Sequence, residues 1–119
     1  MDNQKLIFKR LIEIKDYWVC TTSDSLDDNT DLIWSEVEDE YRTIQRALTS
    51  QEEKEAYQKV VDEVIKGVLH SILVMIDGGD ELADKLLLDL TERESSRSLS
   101  EQTALHEEFY SYLLEKEDE

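Results

Sequence analysis

Between positions 50 and 79 the chain reads SQEEKEAYQKVVDEVIKGVLHSILVMIDGG, and its apolar residues Tyr57, Val61, Val64, Val68, Ile72 and Met75 recur at alternating steps of four and three. That is the period of an α-helix. Val60, Ile65, Leu69, Leu73 and Ile76 widen the stripe until the second half is apolar almost all round. Such a helix is predicted to be buried on several sides at its far end, while Gln51, Glu52, Glu53 and Glu55 meet water at the near end. Those carboxylates also suit the positive end of the helix dipole. Ser50 and Glu53 have the spacing of a capping box, and Gly78 and Gly79 supply the left-handed backbone on which helices commonly end. The predicted element is a long helix over 50–77. The short run 71–76 also fits a buried strand, because periodicity alone does not separate the two. Gly67, about 1 kcal/mol worse than alanine inside a helix, either weakens the turn before that run or admits a close neighbour.

Shorter stretches repeat the pattern. Over 3–20, Ile7, Leu11, Ile14 and Trp18 stand at helical spacing with Phe8 and Ile12 alongside, which predicts a core helix with Cys20 as a small buried residue at its end. Residues 21–30, TTSDSLDDNT, lack a helical period and are rich in turn formers, so they predict a loop. Over 31–48, Ile33, Val37, Tyr41, Ile44 and Leu48 define a second helix, capped by Asn29 or Thr30. After the glycine pair, Leu82, Ala83, Leu86, Leu87 and Leu90 predict a helix over 80–93 opened by Asp80. The alternation of Leu86, Leu88 and Leu90 before the turn-rich ERESSRSL fits instead a small β-hairpin within 86–99. Ser98 and Glu101 offer another capping box for a last helix with Leu105, Phe109, Tyr112 and Leu113 on one face, backed by Ala104 and Tyr110. Glu117, Asp118 and Glu119 trail from its end. The expected fold class is mainly α: one domain, a bundle of four to five helices around the long central helix.

Composition supports this. The chain has no proline and is rich in helix formers, and 119 residues suffice for a core without metal or disulfide staples. One cysteine, Cys20, excludes an internal disulfide and fits a reducing compartment. The opening MDNQKLIFKR lacks the continuous hydrophobic region of a signal peptide, and no apolar run approaches the ~20 residues of a membrane span. A cytoplasmic location is the expectation.

Charge changes the picture most. Thirty acidic and 13 basic residues give a net charge of −17, which argues against nucleic acid and anionic membranes as ligands, since both need clustered Lys and Arg. Only the first twenty residues are not acidic. High charge serves solubility, and it also steers basic proteins towards a surface. Over 21–48 eight acids face Arg42 and Arg46 alone. Trp34, among Glu36, Asp39 and Glu40, has the character of an aromatic anchor on a binding surface, although a tryptophan beside an apolar stripe equally suits a core.

The chain contains no phosphate-cradling glycine loop, nucleophile elbow, paired-cysteine zinc motif or HExxH. Ser25, Asp27, Asn29 and Glu36 fall at positions 1, 3, 5 and 12 of a calcium loop, but serine opens it and Thr30 stands where the turn needs glycine. His70, inside the long helix, reads as a hydrogen-bonded core or interfacial residue. His106 is adjacent to Glu107, and neighbours on a helix point about 100° apart. The Glu-x-x-His pattern of di-metal bundles is absent, because Gly67 and Thr103 precede the histidines by three. A metal held by Glu63, His70 and His106 is the remaining variant. Neither a cofactor nor an enzymatic activity is expected.

The segments HSILVMIDGGDELADKLLLDL and TALHEEFYSYL, within 70–114, resemble small acidic bacterial proteins of uncharacterised function, some of them of the toxin-neutralising immunity type. That resemblance implies a binding role and carries no site residues across; a hairpin after the long helix in such relatives would count against a helix over 80–93. The expected function is therefore a non-enzymatic interaction protein that binds a basic protein partner through acidic surface, with Trp34, Glu36, Asp39 and Glu40 as the candidate contacts. The alternatives are a homo-oligomeric structural protein and a metal-dependent enzyme.

Overall fold

A computed structural model describes residues 3–117. It is mainly α, with four helices among the described residues: α1 (Asn3–Ser25), α2 (Glu38–Ala47), α3 (Gln51–Ile76) and α4 (Leu105–Glu117), plus one 3-10 turn at Glu81–Asp84. No strand occurs among them, only an isolated antiparallel bridge between Thr91 and Ser98. Asp118 and Glu119, expected to trail from the last helix, lie outside the described residues. The chain divides into two compact units, one of Met1–Ile12 and Lys66–Glu119, the other of Glu13–Ile65, so α1 and α3 each contribute to both.

The long helix starts and stops where its sequence predicts. Ser50 Oγ accepts from Glu53 N–H at 3.1 Å while Glu53 returns a carboxylate oxygen to Ser50 N–H at 2.9 Å. The backbone hydrogen bonds draw the Glu53 carboxyl below its ordinary value. At the other end Gly78 has φ +78°, and its N–H and that of Gly79 bond back to the carbonyls of Met75 and Val74. Residues 71–76 are helical, not extended. Burial, however, is one-sided: Leu73 is buried and Leu69 and Ile76 pack on the core, whereas Val60, Val64, Val68 and Ile72 lie exposed. The expectation of cover on several sides is corrected. One apolar face is enough to seat the helix, and the described chain supplies nothing for the other.

In the first unit, Phe8, Leu73, Leu105 and Phe109 form a buried cluster with Leu11, Ile12, Leu90, Leu99, Tyr112 and Leu113 against it. Phe8 lies 5.4 Å from Phe109 and 5.8 Å from Tyr112 between ring centres, within the range of favourable tilted pairs. The helix expected over 80–93 does not form. Asp80 accepts from Leu82 N–H at 3.0 Å and closes a single 3-10 turn, after which Leu86 and Leu87 are exposed. A short helix without a packed face is marginal in water, and here only Leu90 and Leu99 reach the core. The N–H of Leu99 bonds to the Leu90 carbonyl, and buried Gln4 donates its amide to the carbonyls of Leu99 and Thr103. The last helix begins at Leu105, not at the expected Ser98–Glu101 box, because Ser98 instead bonds Asp89 at 2.6 Å.

The second unit buries little: Lys15, Val19, Ser25, Leu26 and Leu32. The stripe expected on α1 is displaced round the helix. Gln4, Phe8, Lys15 and Val19 face inward, while Ile14 and Trp18 are exposed, and so is Cys20, contrary to its expected burial. Lys15 goes inside because its ammonium meets Asp62 at 2.6 Å and Asp16 at 2.7 Å. Burial alone would lower its pKa; hydrogen bonds and attraction from the two carboxylates outweigh that and hold it above 10.5.

The loop expected over 21–30 is helical as far as Ser25. Gln45 of α2 supplies the cap, donating to the carbonyls of Ser25 at 2.7 Å and Asp27 at 3.2 Å. Thr30 donates to the Asp24 carbonyl. Such partners satisfy carbonyls that a helix end leaves without intrahelical donors.

Candidate functional site

The second helix is shorter than its pattern predicts, and that decides the shape of the acidic surface. Asp31 accepts from Ile33 N–H at 2.9 Å, and Ser35 Oγ from Val37 N–H at 3.0 Å. Side chains bonded in this way draw the backbone into successive turns in place of a helix. Residues 31–37 therefore lie outside α2, which starts at Glu38 with no side-chain cap from Val37.

Apolar side chains stand out on this turn. Ile33 is 89% exposed and Trp34 49%, with the indole edge-on to Tyr41 at 5.6 Å between ring centres. Val37 is equally open. Around them Asp31, Glu36, Glu38, Asp39 and Glu40 are exposed. Arg42 is drawn to the carbonyls of Asp28 and Thr30 and to Gln45, reaching Glu38 only at 3.9 Å. It does little to neutralise the carboxylates.

Of the four predicted contacts, Trp34 and Glu36 are in the turn, and Asp39 and Glu40 are in the first turn of α2. Asp39 and Glu40 point about 100° apart on the helix. By that spacing Asp39 shares its face with Thr43 and Arg46. Ile33 and Val37 belong to the surface although their apolar spacing assigned them to a helix core. The adjacent Asp31 and Ser35, both turn formers, were the signal.

Ser25, Asp27 and Thr30 of the calcium-loop stretch are engaged otherwise. Ser25 is buried and donates to Thr22, Asp27 accepts from Asn29 N–H, and Thr30 serves Asp24. Among the described residues no group of three or more His, Cys, Asp or Glu side chains is disposed to hold a metal ion.

A second cluster lies in the other unit. His106, in the first turn of α4, donates its backbone N–H to Asp77 Oδ2 at 2.8 Å, and its Nδ1 lies 2.6 Å from the same oxygen. Asp77 follows the last residue of α3 and thus caps α4 from 29 positions away. Its side chain is 5% exposed, and Oδ1 is buried without a hydrogen-bond partner. His70 stands edge-on to His106, 5.7 Å between ring centres. The sequence marked Asp77 only as a helix stop, and no local signal told of its reach to position 106.

An open cleft of ≈ 450 Å³ is lined by Gln4, Glu92, Arg97, Glu101 and Gln102 among others. No helix among the described residues is long and apolar enough to cross a membrane. Comparison with models of known families, with curated proteins and with solved structures gave no match.

Proposed function

We propose that the chain is a non-enzymatic, cytoplasmic interaction protein that receives a basic protein partner on the acidic surface around Trp34, and that α3, which contributes to both units, is the element on which the other helices gather. The observation that supports this function best is the exposed apolar trio Ile33, Trp34 and Val37 set among five carboxylates. Covering apolar area recovers roughly 25 cal/mol per Å², and clustered charge supplies the attraction that brings a cationic surface into register. An immunity-type inhibitor is one concrete form: Glu36, Asp39 and Glu40 would occupy the phosphate-binding groove of a nuclease.

The test is affinity capture from native lysate at about 0.05 M and 0.5 M salt, since screening between these concentrations separates charge-driven from apolar binding. The wild-type chain captures a basic protein at low salt, and the variant carrying Glu36→Lys, Asp39→Lys and Glu40→Lys loses it with an unchanged melting temperature. Equal capture by both proteins rejects the proposal.

A second reading, a homo-oligomeric structural protein, is favoured by α3. Val60, Val64, Val68 and Ile72 are exposed in an oblique line, and a side chain added at Gly67 would meet nothing within 4 Å. Another copy would cover that face. Sedimentation equilibrium at the same salt concentrations decides: an apolar dimer persists in high salt, and a monomer at both rejects it.

A further inference from the structure

We propose that His70 and His106 form a two-imidazole site for a late first-row divalent metal such as Zn²⁺, with Asp77 as the carboxylate behind His106. The hydrogen bond to Asp77 carries the first step. For Nδ1 of a neutral His106 to donate to Oδ2, as the 2.6 Å separation requires, the proton must sit on Nδ1, which leaves Nε2 with its lone pair free. A histidine whose other nitrogen is held by a carboxylate is the usual arrangement of a metal ligand, and it makes the imidazole more basic.

The second step is distance. Two imidazoles on one tetrahedral zinc, with Zn–N near 2.0–2.1 Å, place their ring centres about 5 Å apart. His70 and His106 are 5.7 Å apart at 83° between ring planes, so with His106 held by Asp77 a rotamer adjustment of His70 would bring one nitrogen of each to a common ion.

The third is charge. The Asp77 side chain is buried, and its Oδ2 meets both the backbone N–H and the ring of His106. A cation on His106 offsets that carboxylate through the imidazole. The net charge of −17 further raises the local cation concentration. With no third protein ligand among the described residues, water completes the coordination, so the ion is exchangeable.

Isothermal titration of the full chain with ZnCl₂, and with CoCl₂ followed by visible absorption, tests this in excess Mg²⁺ at 0.15 M salt, about the physiological ionic strength, to suppress binding to surface carboxylates. One equivalent binds, the cobalt spectrum shows imidazole coordination, and His70→Ala and His106→Ala each weaken binding at least about tenfold while retaining wild-type circular dichroism. Asp77→Asn weakens it by roughly 10–100-fold, as loss of a partner behind a ligand does. No saturable binding, or binding that both histidine variants retain, overturns the proposal.

Discussion

Both units expose apolar side chains, but among the described residues only the first gathers aromatic rings into a buried core. In the first, Phe8, Leu73, Leu105 and Phe109 are collected into a core with tilted ring contacts. In the second, both tryptophans, Tyr17, Ile33 and Val37 are exposed, and the interior is held by Val19, Leu26, Leu32 and the Lys15–Asp62 pair. Apolar content alone therefore does not say where a chain is stabilised and where it presents surface. At 31–37 the polar neighbours Asp31 and Ser35 bend the backbone into turns that leave Ile33 and Val37 open, whereas Tyr17 and Trp18 stand on α1 on a face left uncovered.

The contrast is open to direct attack. Phe109→Ala should destabilise the chain by about 3–5 kcal/mol, the cost of emptying an aromatic core position, whereas Trp34→Ala should stay within about 0.5 kcal/mol, as surface changes do. Urea denaturation of the two variants measures both, and comparable losses would erase the distinction.

Lys15 gives the next effect. Lys15→Ala removes the ammonium that meets Asp62 and Asp16 and should cost about 1–3 kcal/mol by the same measurement. The pH dependence has a definite sign. The folded-state pKa of Lys15 lies above 10.5, so the pair's contribution is complete below the unfolded value and is lost as pH rises through the folded one. Stability should therefore fall more steeply with alkaline pH in the wild type than in Lys15→Met, which has no ammonium to lose, as urea midpoints at rising pH will show.

The smallest effect sharpens the account of α3. Ser50→Ala removes one half of the capping box and should cost about 1 kcal/mol. Glu53 is held below its ordinary pKa, so its contribution is present above the unfolded value of 4.5 and disappears as pH falls through the folded one. Exchange protection at the first turn of α3 should fall in acid in the wild type and be less acid-sensitive in Glu53→Gln, which lacks the carboxylate that receives the Thr49 and Ser50 N–H groups.

Features that rest on near neighbours were legible in the chain. The Ser50–Glu53 box, the glycine stop after Ile76, the helical state of 71–76 and the face of α4 formed by Leu105, Phe109, Tyr112 and Leu113 all depend on residues a few positions apart. The acidity of 21–48 was equally plain, and Trp34 is half open at its edge.

Tertiary structure decided the features that depend on a distant partner. Lys15 is interior because Asp62 stands 47 positions away. The first helix runs on to Ser25 where Gln45 of α2 meets its last carbonyl, and α4 starts where Asp77 can receive the His106 N–H. Helical periodicity describes which residues share a side, but a side becomes interior only when another part of the chain covers it. That is why α3, whose second half is apolar almost all round, has one buried face and one open face.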